Sequence, residues 1–165
     1  MTRNQQFRKE FDIQFINRKI GAHHFEFSVD DEFFSNYEES LIEKADSKVN
    51  FTLDKQNENL FKLRFNITGS IFLKCDRCLQ PIDMGINAQH EMILKVTDPG
   101  VESEDENIIM VGPDEHKVNI ADYIYEFMTL QVPMKKTCNH VGQECDQEMI
   151  EKLERYDPEN DDSVD

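Results

Sequence analysis

Apolar and polar residues alternate along much of the chain, and the period of that alternation sets the expected elements. Phe25, Phe27 and Val29 fall on every second position, as a half-buried strand requires. Phe33, Phe34, Tyr37, Leu41, Ile42 and Ala45 then recur at helical spacing, with Asp30 or Asp31 available as the cap. Val49, Phe51 and Leu53 return to the strand period, and Asn57-Glu58-Asn59 reads as a turn. From Phe61 through Leu63, Phe65, Ile67, Gly69 and Ile71 to Leu73, one face is held without a break. A second such run extends from Ile82 to Val96, with His90 in the apolar row. Two long period-2 runs joined by Lys74–Pro81 predict an antiparallel hairpin, with bends or bulges expected at Gly69 and Gly85. Ile108–Val111 is a short strand before the turn Gly112-Pro113-Asp114. Asn119 opens a helix, with Asp122 as a weaker form of the capping box. Its stripe runs through Ile120, Ala121, Ile124, Phe127, Met128 and Val132 and stops at Pro133. A last helix is expected from about Gln147 to Tyr156.

The pattern therefore predicts one α+β domain over residues 1–157. Its antiparallel sheet has a long hairpin carrying a Cys-x-x-Cys turn, packed with two to three helices. Charge changes this picture at the ends. From Glu144 onward ten acidic residues face only Lys152 and Arg155, and residues 158–165 are expected to form a flexible acidic tail. The whole chain carries 34 acidic and 18 basic residues, a net charge of −16, which opposes broad electrostatic capture of a phosphate backbone. No stretch approaches the roughly 20 apolar residues of a membrane helix, and the polar N-terminus lacks the apolar run of a secretory signal. A cytoplasmic protein is the resulting expectation, in which cysteines serve a metal or redox site more readily than disulfides.

The four cysteines form two pairs, Cys75-x2-Cys78 and Cys138-x6-Cys145. The first has the spacing that presents two thiolates to a tetrahedral Zn²⁺ from one tight turn. The second is looser, and His140 between its members offers an alternative nitrogen ligand. A structural zinc site would bring the pairs together across 59 intervening residues and tie the C-terminal region to the hairpin. The alternatives are four reduced, unliganded thiols, or a redox-active Cys75/Cys78 pair. The redox option is weakened because strand, not helix, follows the motif, leaving no helix dipole to lower a thiol pKa.

The segment Cys75-Asp76-Arg77-Cys78-Leu79-Gln80-Pro81-Ile82 resembles the YceD-like proteins, which carry Cys-x-Arg-Cys-Leu-x-Pro after a long alternating strand. The resemblance continues in Ile120-Ala121-Asp122-Tyr123-Ile124-Tyr125-Glu126 and in Leu130-Gln131-Val132-Pro133-Met134-Lys135-Lys136-Thr137-Cys138, and covers about Val49 to Asp157. It implies a non-enzymatic role in the accumulation of large-subunit ribosomal RNA, with no cofactor or reaction carried over.

If the cysteine pairs meet, Lys74, Arg77, Lys135 and Lys136 gather into one positive spot suited to rRNA phosphates or an acidic partner. An acidic factor could equally shield a basic ribosomal protein, and the acidic tail suits that version. Neither a small-molecule substrate nor a membrane is expected as partner. A thiol-dependent oxidoreductase and a pure protein-interaction module are the rival functions. His23 and His24 point to opposite strand faces, which makes them poor joint ligands. His90 reads as a core or edge histidine, and no phosphate loop, nucleophile elbow or His-Glu-x-x-His occurs. The twelve phenylalanines follow strand and helix periods, which marks them as core.

Overall fold

The two long alternating runs become neighbouring antiparallel strands because each buries one side chain in two. Their odd residues (Phe61, Leu63, Phe65, Ile67, Ile71, Leu73) and even residues (Ile82, Ile86, Ala88, Met92, Leu94) all enter the interior. The computed structural model describes residues 2–98, 100–138, 144–145 and 147–155. In chain order the elements are α1 (Arg3–Glu10), β1 (Asp12–Gln14), β2 (Gly21–Asp30), α2 (Asp31–Phe34), β3 (Lys44–Asn57) and β4 (Leu60–Lys74). They continue with β5 (Pro81–Val96), β6 (Ile108–Val111), β7 (Lys117–Asn119), α3 (Ala121–Thr129) and α4 (Gln147–Arg155). The expected tail, residues 158–165, lies outside the described residues, as do His140 and Tyr156.

The main sheet has the order β2-β3-β4-β5-β6, antiparallel throughout except that β6 runs parallel to β5. Such an α+β architecture needs only one covered face. The inner face carries Val49, Phe51, Leu53, Leu63, Phe65 and Ile67, all at 0% exposure. Phe11, Ile13 and Phe15 from the N-terminal segment share its core with Phe33, Phe34, Ile42 and the α3 residues Ala121, Ile124, Phe127 and Met128. The outer face (Lys62, Arg64, Asn66, Thr68) is solvated. Among the described residues no helix is long and apolar enough to cross a membrane.

Three expectations are corrected. The helix over Phe33–Ala45 stops at Phe34, after Asp30 caps it by accepting from the N–H groups of Glu32 and Phe33. From Lys44 the chain is already β3, because Ala45, Ser47, Val49, Phe51, Leu53 and Lys55 all face the core. A ladder of backbone hydrogen bonds to β4 outweighs local periodicity. Tyr37, assigned to that helix, instead stacks on Tyr125 at 3.9 Å and donates its hydroxyl to Asp122 at 2.9 Å. Asp122 also pairs with Arg8 at 3.2 Å, so it takes no part in a capping box; Asn119 alone accepts from the Ala121 N–H. The β4–β5 register runs unbroken past Gly69 and Gly85, and the register shift lies instead between β3 and β4, at Lys55/Asn57. Finally, α1 and the small β1–β7 pair, in which Ile13 faces Val118, had no counterpart in the pattern.

Candidate metal centre

Cys75 and Cys78 lie in the connection between β4 and β5, which closes on itself. The Cys75 N–H donates to the Gln80 carbonyl and the Leu79 N–H to the Cys75 carbonyl, both at 2.9 Å. The N–H groups of Arg77 and Cys78 point at Cys75 Sγ, at 3.4 and 3.5 Å. The segment after α3 returns to this connection through a reciprocal clamp. Asp76 donates its N–H to the Lys136 carbonyl at 2.7 Å. Lys136 donates both its backbone N–H and its ammonium to the Asp76 carboxylate at 2.9 Å. Two residues further on, Cys138 is delivered to the cluster.

The four sulfurs of Cys75, Cys78, Cys138 and Cys145 all lie within 4.8 Å of one another. Cys75 Sγ is 3.7 Å from Cys145 Sγ, and Cys78 Sγ is 3.5 Å from Cys138 Sγ. A tetrahedral ion with bonds to sulfur of about 2.3 Å sets its ligands about 3.8 Å apart, so these spacings approach those of a four-thiolate cage. Cys75, Cys78 and Cys138 are buried and Cys145 is half-buried. With Ile82 from β5 and Ile150 from α4, the buried cysteines form a small core separate from the main one. Four cysteines close enough to hold a metal ion therefore join the two halves of the chain, as their residue chemistry suggested.

The electrostatics of the cluster are uneven. Burial disfavours a thiolate at Cys75, but the Cys78 and Arg77 N–H groups more than offset it and lower its pKa to about 6. The lowering expected to be missing without a helix is thus supplied by amides of the connection itself. At Cys138, burial pushes the pKa up to about 12 despite the Gln80 amide, with Cys78 and Cys75 raising it further. Burial also raises Cys145. The protein alone thus favours the thiolate at Cys75 and the neutral thiol at Cys138 and Cys145. Just outside, the Lys136 backbone N–H and then its ammonium hold the Asp76 carboxylate below its usual range.

Gln80 was not singled out by its sequence position, yet its amide nitrogen bridges the site. It donates to Cys138 Sγ at 2.9 Å and to the Glu144 carbonyl at 2.7 Å, joining both flanks of the second cysteine pair. Residues that orient ligands in this way typically contribute 10–100-fold to metal affinity. Gln80→Ala is accordingly expected to weaken metal binding by roughly tenfold or more while leaving the sheet intact. Competition against a chromophoric chelator measures this, and unchanged affinity would show that Gln80 has no part in the site.

A family profile described as "Large ribosomal RNA subunit accumulation protein YceD" matches residues 63–165. The chain belongs to the YceD family. The match takes in β4 from Leu63, β5, α3, α4 and all four cysteines. It begins later than the resemblance traced from Val49 and reaches the C-terminal residue. No curated protein and no solved structure matches the chain.

In this YceD protein the four expected basic residues are not equivalent. Lys74 pairs with Glu43 at 3.0 Å, and Lys136 with Asp76 at 2.9 Å. Arg77 and Lys135 form no ion pair within 4 Å among the described residues, although the charge of Lys135 also acts on Asp76. They line one shallow concavity of about 420 Å³ with Asp76 and Thr137. Three histidines make contacts within the sheet and its approach: His90 stacks on Phe127 at 4.2 Å, His23 bonds the Lys19 carbonyl, and His24 bonds Thr52.

Proposed function

We propose that the protein is a non-catalytic factor in the accumulation of large-subunit ribosomal RNA, with a structural zinc ion held by Cys75, Cys78, Cys138 and Cys145. The observation that carries this reading is the closeness of four sulfurs from distant segments in a chain of the YceD family. Zinc fits the donor set because four soft thiolates at tetrahedral spacing suit it, and such a closed site has no open position for catalysis. The ion would pin the segment after α3 to the β4–β5 connection and hold Arg77 and Lys135 side by side. These two residues are the ones we assign to rRNA phosphates, while Lys74 and Lys136 act through their ion pairs. The oxidoreductase reading is weaker. Cys75 and Cys78 are buried, whereas reactive thiols need access, and the sulfur contacts at 3.7 and 3.5 Å both run between the two segments.

Elemental analysis of untagged protein purified without added metal is expected to give about one zinc per chain. In filter binding to large-subunit rRNA, Arg77→Ala with Lys135→Ala should weaken affinity and reduce the slope of log K against log salt by about 2. Absence of zinc would remove the metal site from this reading, and an unchanged affinity and slope would remove the RNA contact.

A further inference from the structure

The strand β2 ends the main sheet and pairs only with β3. Its backbone makes no hydrogen bond outside that ladder among the described residues. A row of open N–H and C=O groups is a ready template for one more strand. Along this edge runs a groove of about 520 Å³, with α1 forming the opposite wall. Glu26, Phe27 and Ser28 all line it, although neighbouring side chains of a strand point to opposite faces, so the groove wraps the strand's open edge. Its apolar side is aromatic: Phe11 stacks on Phe27 at 5.2 Å, and Phe7 packs against Phe11 at 5.3 Å.

Its polar side is anionic. Four carboxylates (Glu10, Glu26, Asp30, Glu32) line it against one cation, Arg3; the pairs Arg3–Glu32 at 3.5 Å and Lys48–Glu26 at 3.4 Å, the second reaching in from β3, are solvent-exposed and weak. We propose that the β2 edge takes up a basic extended segment of a protein partner by strand addition, its lysines or arginines meeting the carboxylates and its apolar side chains the phenylalanines. Backbone hydrogen bonds would supply affinity, and alternate side chains would supply specificity. The negative groove repels nucleic acid, which selects a protein segment as occupant. This surface is distinct from Arg77 and Lys135 and does not depend on their role.

The test uses the full chain and a fluorescent dodecapeptide alternating lysine or arginine with valine, followed by anisotropy at about 150 mM salt, where long-range attraction is screened. N-methylation of alternate residues keeps the charge but removes strand donors, and one of the two methylation frames should weaken binding by about tenfold or more. Glu10→Gln with Glu26→Gln, both at exposed positions, should weaken it by about tenfold. Arg77→Ala with Lys135→Ala should leave peptide binding unchanged. Equal binding of both N-methylated frames and the parent would reduce the interaction to charge alone and overturn the proposal. So would insensitivity to the glutamate changes, displacement of the peptide by an rRNA oligonucleotide, or sedimentation showing a second copy of the chain on the edge.

Discussion

Cys138→Ser is expected to release the proposed zinc and free the C-terminal helix while leaving the sheet folded. Of the described side chains on α4 only Ile150 is buried, and its contacts are with the cysteine cluster. A nine-residue helix has little stability by itself in water, so its order depends on what it docks against. The serine hydroxyl is a poor ligand for a soft site, and Cys138 Sγ is the atom that both Cys78 and Gln80 approach. Bound ligand in thousand-fold excess over Kd contributes about 4 kcal/mol to stability. Losing it should lower Tm by roughly 10 °C for a chain of this size. Calorimetry gives that shift, and hydrogen exchange locates it: α4 amides should lose protection while those of β3, β4 and β5 keep theirs. A wild-type protein with four titratable thiols, no zinc and the same Tm as Cys138→Ser would sink the prediction.

Locality matters because the same variant separates a structural metal from a bystander. The cysteine core around Ile82 and Ile150 is small, while the main core of the sheet is built from Phe51, Leu53, Leu63, Phe65 and their neighbours. If the two were one cooperative unit, exchange would rise everywhere. If the metal merely decorates a preformed cluster, exchange would rise nowhere. The clamp between Asp76 and Lys136 does not involve the sulfurs, so it should continue to hold Pro133–Lys136 beside the connection.

How far these features could be read from the chain depended on how many residues carried each signal. The strands β4 and β5 were legible because many alternating positions agree, and α3 because Ala121, Ile124, Phe127 and Met128 form a stripe. In α1 the apolar signal is a single residue, Phe7, whose partners are Phe11, the residue that ends the helix, and Phe33 from α2. The stretch Phe33–Ala45 satisfied a helical period by accident, since Ala45 belongs to a ladder set by residues more than twenty positions away. Three-residue strands such as β1 and β7 have no period to show. At the cysteines, residue type pointed to the cluster although the separation in sequence did not. Its supporting bonds from Gln80 and Asp76 span about sixty residues and leave no local trace. Counting charges likewise cannot show that Lys74 pairs with Glu43 and Lys136 with Asp76, since these partners are 31 and 60 positions away.

Gly69 and Gly85 looked alike as bulge positions, and they should respond oppositely to alanine. Gly69 has φ of +135°, a region that side chains strongly disfavour. A Cβ there would meet the Asp46 carbonyl oxygen at 2.3 Å and Ser47 Cα at 2.6 Å, both backbone atoms of β3. Neither can move without opening the ladder in which Ser47 faces Gly69 and the Ser47 hydroxyl donates to the Ser70 carbonyl. Strained backbone contributes about 1–3 kcal/mol and displacement of a packed strand a similar amount, so Gly69→Ala should cost on the order of 3 kcal/mol or more. Gly85 meets nothing closer than 3.9 Å and has no positive φ. Gly85→Ala should therefore stay within about 0.5 kcal/mol of the wild type. Urea denaturation of the two variants side by side makes the comparison, and equal midpoints would show that the close approach of β3 to β4 at Gly69 is not what fixes that glycine.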